Sequence, residues 1–328
     1  MHPERRSWLL ALPALMLAVL LLGWSGYWYQ TLTRTKEGFS RFEADLAARG
    51  GAFTCNEEDW GGYPFRIEVS CARLALRLSG NGPTFETVGV RALAKAYAIN
   101  DVVATGQGPS RLTFEDGRTF DLKHAPMNAD FRIEDDGRAA ARLIVEDTVL
   151  EAEGAVLARG ARLELSAHNE DADRVAFTVI GSQAVVSPSP GTDISLASLD
   201  MEGLIDKLPP GFATLPSDLL TAAATSGARL SVQSLAAVVE GSRLNGEGSL
   251  VLDAQGYPDG RIALRLSDLG RFMEGLAAKG LIERKAAAAG TLLLGLIVGN
   301  KAAPVDLTFR QGRIYWGPIK LLEHGPIR

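Results

Sequence analysis

The side chains best suited to chemistry are few in this sequence and stand far apart. Four histidines, His2, His124, His168 and His324, show no spacing that would put two on one metal or set one beside a nucleophile. No nucleophile elbow, phosphate loop or dinucleotide fingerprint occurs, and the serine of Gly23-Trp24-Ser25-Gly26 lies inside a long apolar run. Three acidic clusters, Glu57-Glu58-Asp59, Glu134-Asp135-Asp136 and Glu170-Asp171 with Asp173, carry oxygen ligands suited to Ca²⁺. None has a calcium-loop spacing, and solvated hairpin tips account for them. No catalytic residue, cofactor-binding residue, metal ligand or cofactor is therefore expected, and the chain reads as a non-enzyme. A hydrolase whose carboxylates converge only on folding is the third-ranked alternative.

Two cysteines, Cys55 and Cys71, read as one disulfide in an exported chain, closing a loop that would stabilise the fold by roughly 3 kcal/mol. Two buried thiols are the other reading, and metal binding is disfavoured because the histidines lie far away. The most distinctive local features are two aromatic, glycine-bearing turns. One is Trp60-Gly-Gly-Tyr63-Pro-Phe65, inside the loop between the cysteines; the other is Gly312-Arg-Ile-Tyr315-Trp316-Gly-Pro318. Glycine permits tight backbone, proline fixes φ and the rings supply burial area, so Trp60, Tyr63, Phe65, Tyr315 and Trp316 either contact a ligand or lock the turns by packing.

The elements that would hold these residues begin with a helix. Between Arg6 and Arg34 there is no acidic or basic side chain, and Trp8 to Tyr29 would reach about 33 Å as a helix, enough for a hydrocarbon core of about 30 Å. Trp24, Tyr27, Trp28 and Tyr29 resemble an aromatic belt at its far end. An uncleaved signal anchor with its N-terminus inside is expected; a cleaved signal peptide is the rival, with only Gly23 and Ser25 approximating its small-residue site. Phe39, Phe42 and Leu46 then recur on one helical face until Gly50-Gly51, as an interfacial stalk or as a helix packed on the domain's own sheet.

From Gly51 the period falls to two. Ile67, Val69 and Cys71 alternate with polar residues, and Leu74, Leu76 and Leu78 continue in the opposite phase, which implies a bulge near Ala72. Similar runs recur at 111–115, 119–124, 130–135, 141–151, 161–167, 175–186, 229–239, 249–254, 261–266 and 305–315. Asp-Gly and Gln-Gly pairs mark hairpins between several of them. Helices are expected at 216–225, at 267–279 with Ser267 as N-cap, and at 282–298, the last too short to span a membrane. The fold class is mainly β with some α: a large curved antiparallel sheet or meander with a few packed helices, preceded by one transmembrane helix. A net charge of -5 across 328 residues argues against nucleic acid as a partner.

The anchor, the amphipathic helix, the Trp60–Arg66 turn and the Gly312–Pro318 segment together resemble the bacterial family catalogued as domain of unknown function 2125. The resemblance implies a bacterial envelope setting and supplies no catalytic residues. The expected organisation is a cytoplasmic N-terminus at 1–7, a transmembrane anchor at 8–29, a juxtamembrane helix at 30–50 and a β-rich domain at 51–328. That domain is one body or two lobes with a seam near 190–215. The expected location is the bacterial inner membrane, single-pass, with the C-terminal domain in the periplasm. The expected partners are the membrane, through the helix, and a lipid or other apolar ligand held by the curved sheet. The alternative is a structural or protein-interaction module of the envelope, without a ligand cavity and with an envelope protein as partner.

Overall fold

The apolar run and the amphipathic segment after it form one continuous helix, α1 (Ser7–Ala48). It ends at Gly50, whose φ of 78° permits the turn, and the amides of Gly50 and Gly51 cap the last carbonyls by donating to Ala47 and Leu46. The computed structural model describes residues 7–48, 50–77, 82–114, 116–134, 136–187, 192–208, 224–253, 255–280, 303–316 and 319–323. The helix expected at 282–298 and most of that expected at 216–225 lie outside these residues.

Among the described residues, eighteen strands follow in a single antiparallel sheet. They are β1 (Ala52–Asn56), β2 (Asp59–Gly61), β3 (Arg66–Arg77), β4 (Thr84–Lys95), β5 (Ala98–Gly106), β6 (Ser110–Thr113), β7 (Thr119–Lys123), β8 (Met127–Ile133) and β9 (Ala139–Ala152). The second half comprises β10 (Ala155–Asp171), β11 (Arg174–Val186), β12 (Ile194–Asp206), β13 (Arg229–Val239), β14 (Ser242–Leu252), β15 (Pro258–Leu266), β16 (Ala303–Arg310), β17 (Arg313–Trp316) and β18 (Ile319–Glu323). Three pairs are collinear halves of one long strand. β1 and β2 both lie along β3, β5 and β6 both lie along β4, and β7 and β8 both lie along β9. With those pairs joined, each strand bonds to its sequence neighbour, which is an up-and-down meander. The pairing runs β11 to β12 to β13 without a change of partner on either side of residues 190–215.

A line of irregularities crosses the first half of the sheet. The β3–β4 ladder skips the position of Ala72 and Gly89, the β9–β10 ladder skips Asp147, and the β11–β12 ladder skips Gln183. Glu57, Gly89, Gly108, Asp147 and Gln183, all on this line, have positive φ. Such bulges bend a strand and reset which side its residues face. The reset is visible at the disulfide. Cys55 is opposed to Leu74, yet it bridges Cys71, so Leu74 and Cys71, three residues apart, point to the same side. The apolar residues before and after Ala72 thus share one side of the sheet.

The C-terminal half of α1 packs on that side at the first strands. Leu32, Ile67 and Ala96 form a buried cluster with Trp28 and Trp60 against it, and Phe39 meets Phe53 and Trp60 edge-on at 5.1 and 5.7 Å. At the opposite end of the strands, α2 (Leu269–Ala278) begins at Asp268 rather than Ser267. The Ser267 hydroxyl is engaged elsewhere, donating to the Arg243 carbonyl at 3.1 Å, and Asp268 enters the helix with φ 57° and makes no side-chain cap.

Candidate functional site

The register assigns the sheet two chemically different sides. Residues directly opposed across strands share a side, and one such row reads Val69, Ala92, Ala104, Ala129 and Leu143 from β3 to β9. It continues as Leu165, Val179, Met201, Leu235, Gly246 and Leu264 from β10 to β15. No polar side chain interrupts it. The row two residues toward the anchor end is apolar as well, through Ile67, Ala94, Val102, Phe131, Ala141, Ala167 and Phe177. The row two residues the other way carries Val145, Leu163, Leu199, Ala237, Leu244 and Leu266. At about 4.8 Å per strand this apolar surface extends about 50 Å.

The opposite side carries the charged side chains, with Leu93, Val103, Ile144 and Ile180 among them. Its rows pass through Arg142, Ser166, Thr178 and Glu202, and through Glu164, Asp200, Asn245 and Arg265. Glu164 lies between Arg142 and Arg162 at 2.7 and 3.0 Å; the hydrogen bond from Arg162, ahead of that from Arg142, holds its pKa below the ordinary glutamate value against burial. A depression of about 450 Å³ lies here, lined by Asp101, Asp130, Arg132, Arg142 and His168. Arg132 is paired with Asp101 and Arg142 with Glu164, and Val103, Phe131 and Ala140 complete its walls, so charged and apolar surface stand side by side in it.

The apolar rows are only partly covered. Leu165, in mid-row, is 37 % exposed and Phe131 54 %, whereas Val145 and Leu264 are buried. Apolar side chains in the middle of a sheet side ordinarily meet a second layer, so a partly exposed row is a surface able to receive apolar material.

Of the aromatic residues singled out by sequence, α1 gathers three. Trp24 Nε1 donates to the Pro64 carbonyl at 2.8 Å, Trp28 Nε1 to the Arg66 carbonyl at 2.7 Å, and the Tyr27 hydroxyl to the Ala96 carbonyl at 3.1 Å. Tyr63 stacks edge-on to Trp28 at 5.2 Å and its hydroxyl lies 2.9 Å from Ser25 Oγ, while Phe65 lies 5.9 Å from Trp24. Trp60 packs under Phe39 and donates to Glu58. The first turn is therefore a clasp that fixes the helix to the sheet. Tyr315, in β17, opposes Thr308 far along the sheet and does not join it; the side chain of Trp316 lies outside those described.

His124 Nε2 lies 2.9 Å from Ser110 Oγ, which donates to Thr87 Oγ1 at 2.9 Å, and His124 Nδ1 lies 2.6 Å from the Ala125 carbonyl. Ser110 is only 2 % exposed and a backbone carbonyl stands where a triad would place a carboxylate, so this is a satisfied polar network at the break between β5 and β6. Among the described residues no three His, Cys, Asp or Glu side chains converge as a metal site would require.

Residues 28–324 match the family described as an uncharacterised protein conserved in bacteria, domain of unknown function 2125. The chain belongs to that family. No curated protein and no solved structure matches it. The family carries no assigned activity, so any functional reading rests on the geometry of the two-sided sheet and the clasped helix. Reading the sequence alone missed Tyr97, Phe131 and Ile133, and it missed the continuity of the apolar rows. The signal for the rows was the period-2 pattern itself, hidden wherever a bulge resets its phase.

Proposed function

We propose that this protein is anchored in the bacterial inner membrane by α1 and binds the acyl chains of a lipid, or a comparably apolar molecule, along the apolar side of its periplasmic sheet. The observation that carries this reading is the uninterrupted, partly exposed apolar row from Val69 to Leu264, facing away from the side that carries Arg142, Glu164, Asp200 and Arg265. Burial of a methylene contributes about 0.8 kcal/mol without requiring direction, so a long apolar surface needs no specific polar contacts to hold a chain. The helix supports the location: it is long and apolar enough to span, and its Leu12–Leu22 stretch is exposed in the protein itself.

The test is binding of a fluorescent phospholipid to the full-length protein in detergent. Leu165→Asp, on the apolar row, should weaken binding severalfold, and Ser166→Asp, its neighbour on the polar side, should leave it unchanged. Equal effects, or none, would contradict the reading.

A protein-interaction module is the second reading, and the edge of β18 favours it. β18 is bonded to β17 alone among the described strands, so its other edge is available to a strand from a partner.

A further inference from the structure

We infer that the sheet does not hang free of its anchor but sits on the bilayer, with an aromatic rim at the anchor end of the strands pressed into the headgroup layer. The inference rests on α1 crossing a membrane and is independent of what the apolar side binds. Three turns or strand ends lie at this end of the meander: the turn between β2 and β3, the turn between β4 and β5, and the end of β8 before β9. They present Tyr63, Phe65, Tyr97, Ile99, Phe131 and Ile133, between 45 and 63 % exposed. Large apolar side chains concentrated at one end of a sheet are a contact surface, and the anchor identifies what they contact.

The helix fixes the depth. Trp24, Tyr27 and Trp28 are bonded to the carbonyls of Pro64, Ala96 and Arg66, so the rim cannot move away from that level of the helix. Between Ser7 and Gly23 the free part of α1 is about 25 Å long at about 1.5 Å per residue. That is short of the roughly 30 Å needed to cross the hydrocarbon core. Arg5 and Arg6 stop the helix from sliding deeper on the other side. The shortfall is made up only if the clasp itself enters the interfacial layer, which carries Tyr63, Phe65 and Tyr97 to the depth where aromatic side chains are favoured. Lys95 lies 5.9 Å from the Tyr97 ring, placing a cation where lipid phosphates would lie. One consequence is that the apolar rows begin at the membrane, since Phe131 belongs both to the rim and to the row through Ile67 and Ala141.

The experiment introduces a photoreactive benzoylphenylalanine singly at Phe65, Tyr97 and Phe131 of the full-length chain in native membranes containing a clickable phospholipid. Ile180, exposed on the polar side, is the reference position, and Leu165 reports separately on the apolar row. Expected are lipid adducts at the three rim positions severalfold above Ile180, in protein that resists carbonate extraction and keeps its Cys55–Cys71 bridge. Rim adducts no stronger than those at Ile180, in extraction-resistant protein, would overturn the inference, as would a protein adduct of defined mass in place of lipid. Extraction by carbonate would overturn it through the anchor. Adducts at the rim without any at Leu165 would support the rim and contradict acyl binding along the sheet.

Discussion

At the residue scale the decisive contacts are hydrogen bonds from indoles to a turn. Trp28→Phe keeps a six-membered ring but removes the donor to the Arg66 carbonyl together with the pyrrole part of the indole, so it should cost at least about 1 kcal/mol of stability, read by chemical denaturation in detergent. Glu240 makes a second prediction, at the other end of the strands. Burial alone would raise its pKa, but the hydrogen bond from Lys279 at 2.5 Å, the Ser195 amide and the Lys279 charge outweigh burial and hold it low. In the window between the folded and unfolded pKa values the unfolded chain binds more protons, so stability rises with pH there. The contribution is complete above the ordinary glutamate pKa of about 4.3 and is lost as pH falls through the lower folded value. Glu240→Gln should cost about 2 kcal/mol at neutral pH and flatten the acid side of the stability profile below about pH 4, which unfolding midpoints across pH would show. The sequence made Trp24 and Trp28 visible as a belt for lipid. That their N–H groups are committed to carbonyls 38 to 40 residues away depends on a tertiary contact that no local pattern encodes.

At the scale of elements, the line of bulges both shapes the sheet and conceals it. β3 was legible because its apolar residues slip phase once, at Ala72, and that slip has its structural counterpart in the skipped position opposite Gly89. The same reset within β4, at Gly89, and within β12, opposite Gln183, broke their alternation into short pieces, so neither was read as a strand. β5 also escaped, since its Asn100-Asp101 pair interrupts the apolar pattern. Strands with an unbroken phase, such as β7 at Thr119–Lys123, could be read to within a residue. Gly89→Ala should destabilise by about 1 to 2 kcal/mol in thermal unfolding. Its φ of 61° disfavours any side chain, and a Cβ would lie 2.7 Å from Gln107 Cγ. The Cys55–Cys71 bridge pins the same line at the sheet's first strands. Replacing both cysteines with serine should cost about 3 kcal/mol, measured against the oxidised protein in denaturant.

At the scale of the whole molecule, a long apolar helix, a clasp and a two-sided sheet make one continuous object. The fold class was legible because period-2 segments and turn pairs repeat along the chain; the apolar rows were not, because they exist only once register aligns Val69 with Leu264 across nine intervening strands. Among the described residues no three His, Cys, Asp or Glu side chains converge. The resolved carboxyl shifts, at Asp116, Asp121, Asp136, Glu164 and Glu240, are all downward. That direction is the one their hydrogen-bonded cationic partners impose. Weight therefore falls on the apolar side. The most direct measurement is native mass spectrometry, with lipid extraction, on the full-length protein released gently from bacterial membranes. A phospholipid or acyl species that stays bound, is displaced by added lipid and is lost in Leu165→Asp is the predicted result. A folded, bridged protein that carries no such species at any lipid concentration would contradict acyl binding and shift attention to the edge of β18 that no described strand pairs.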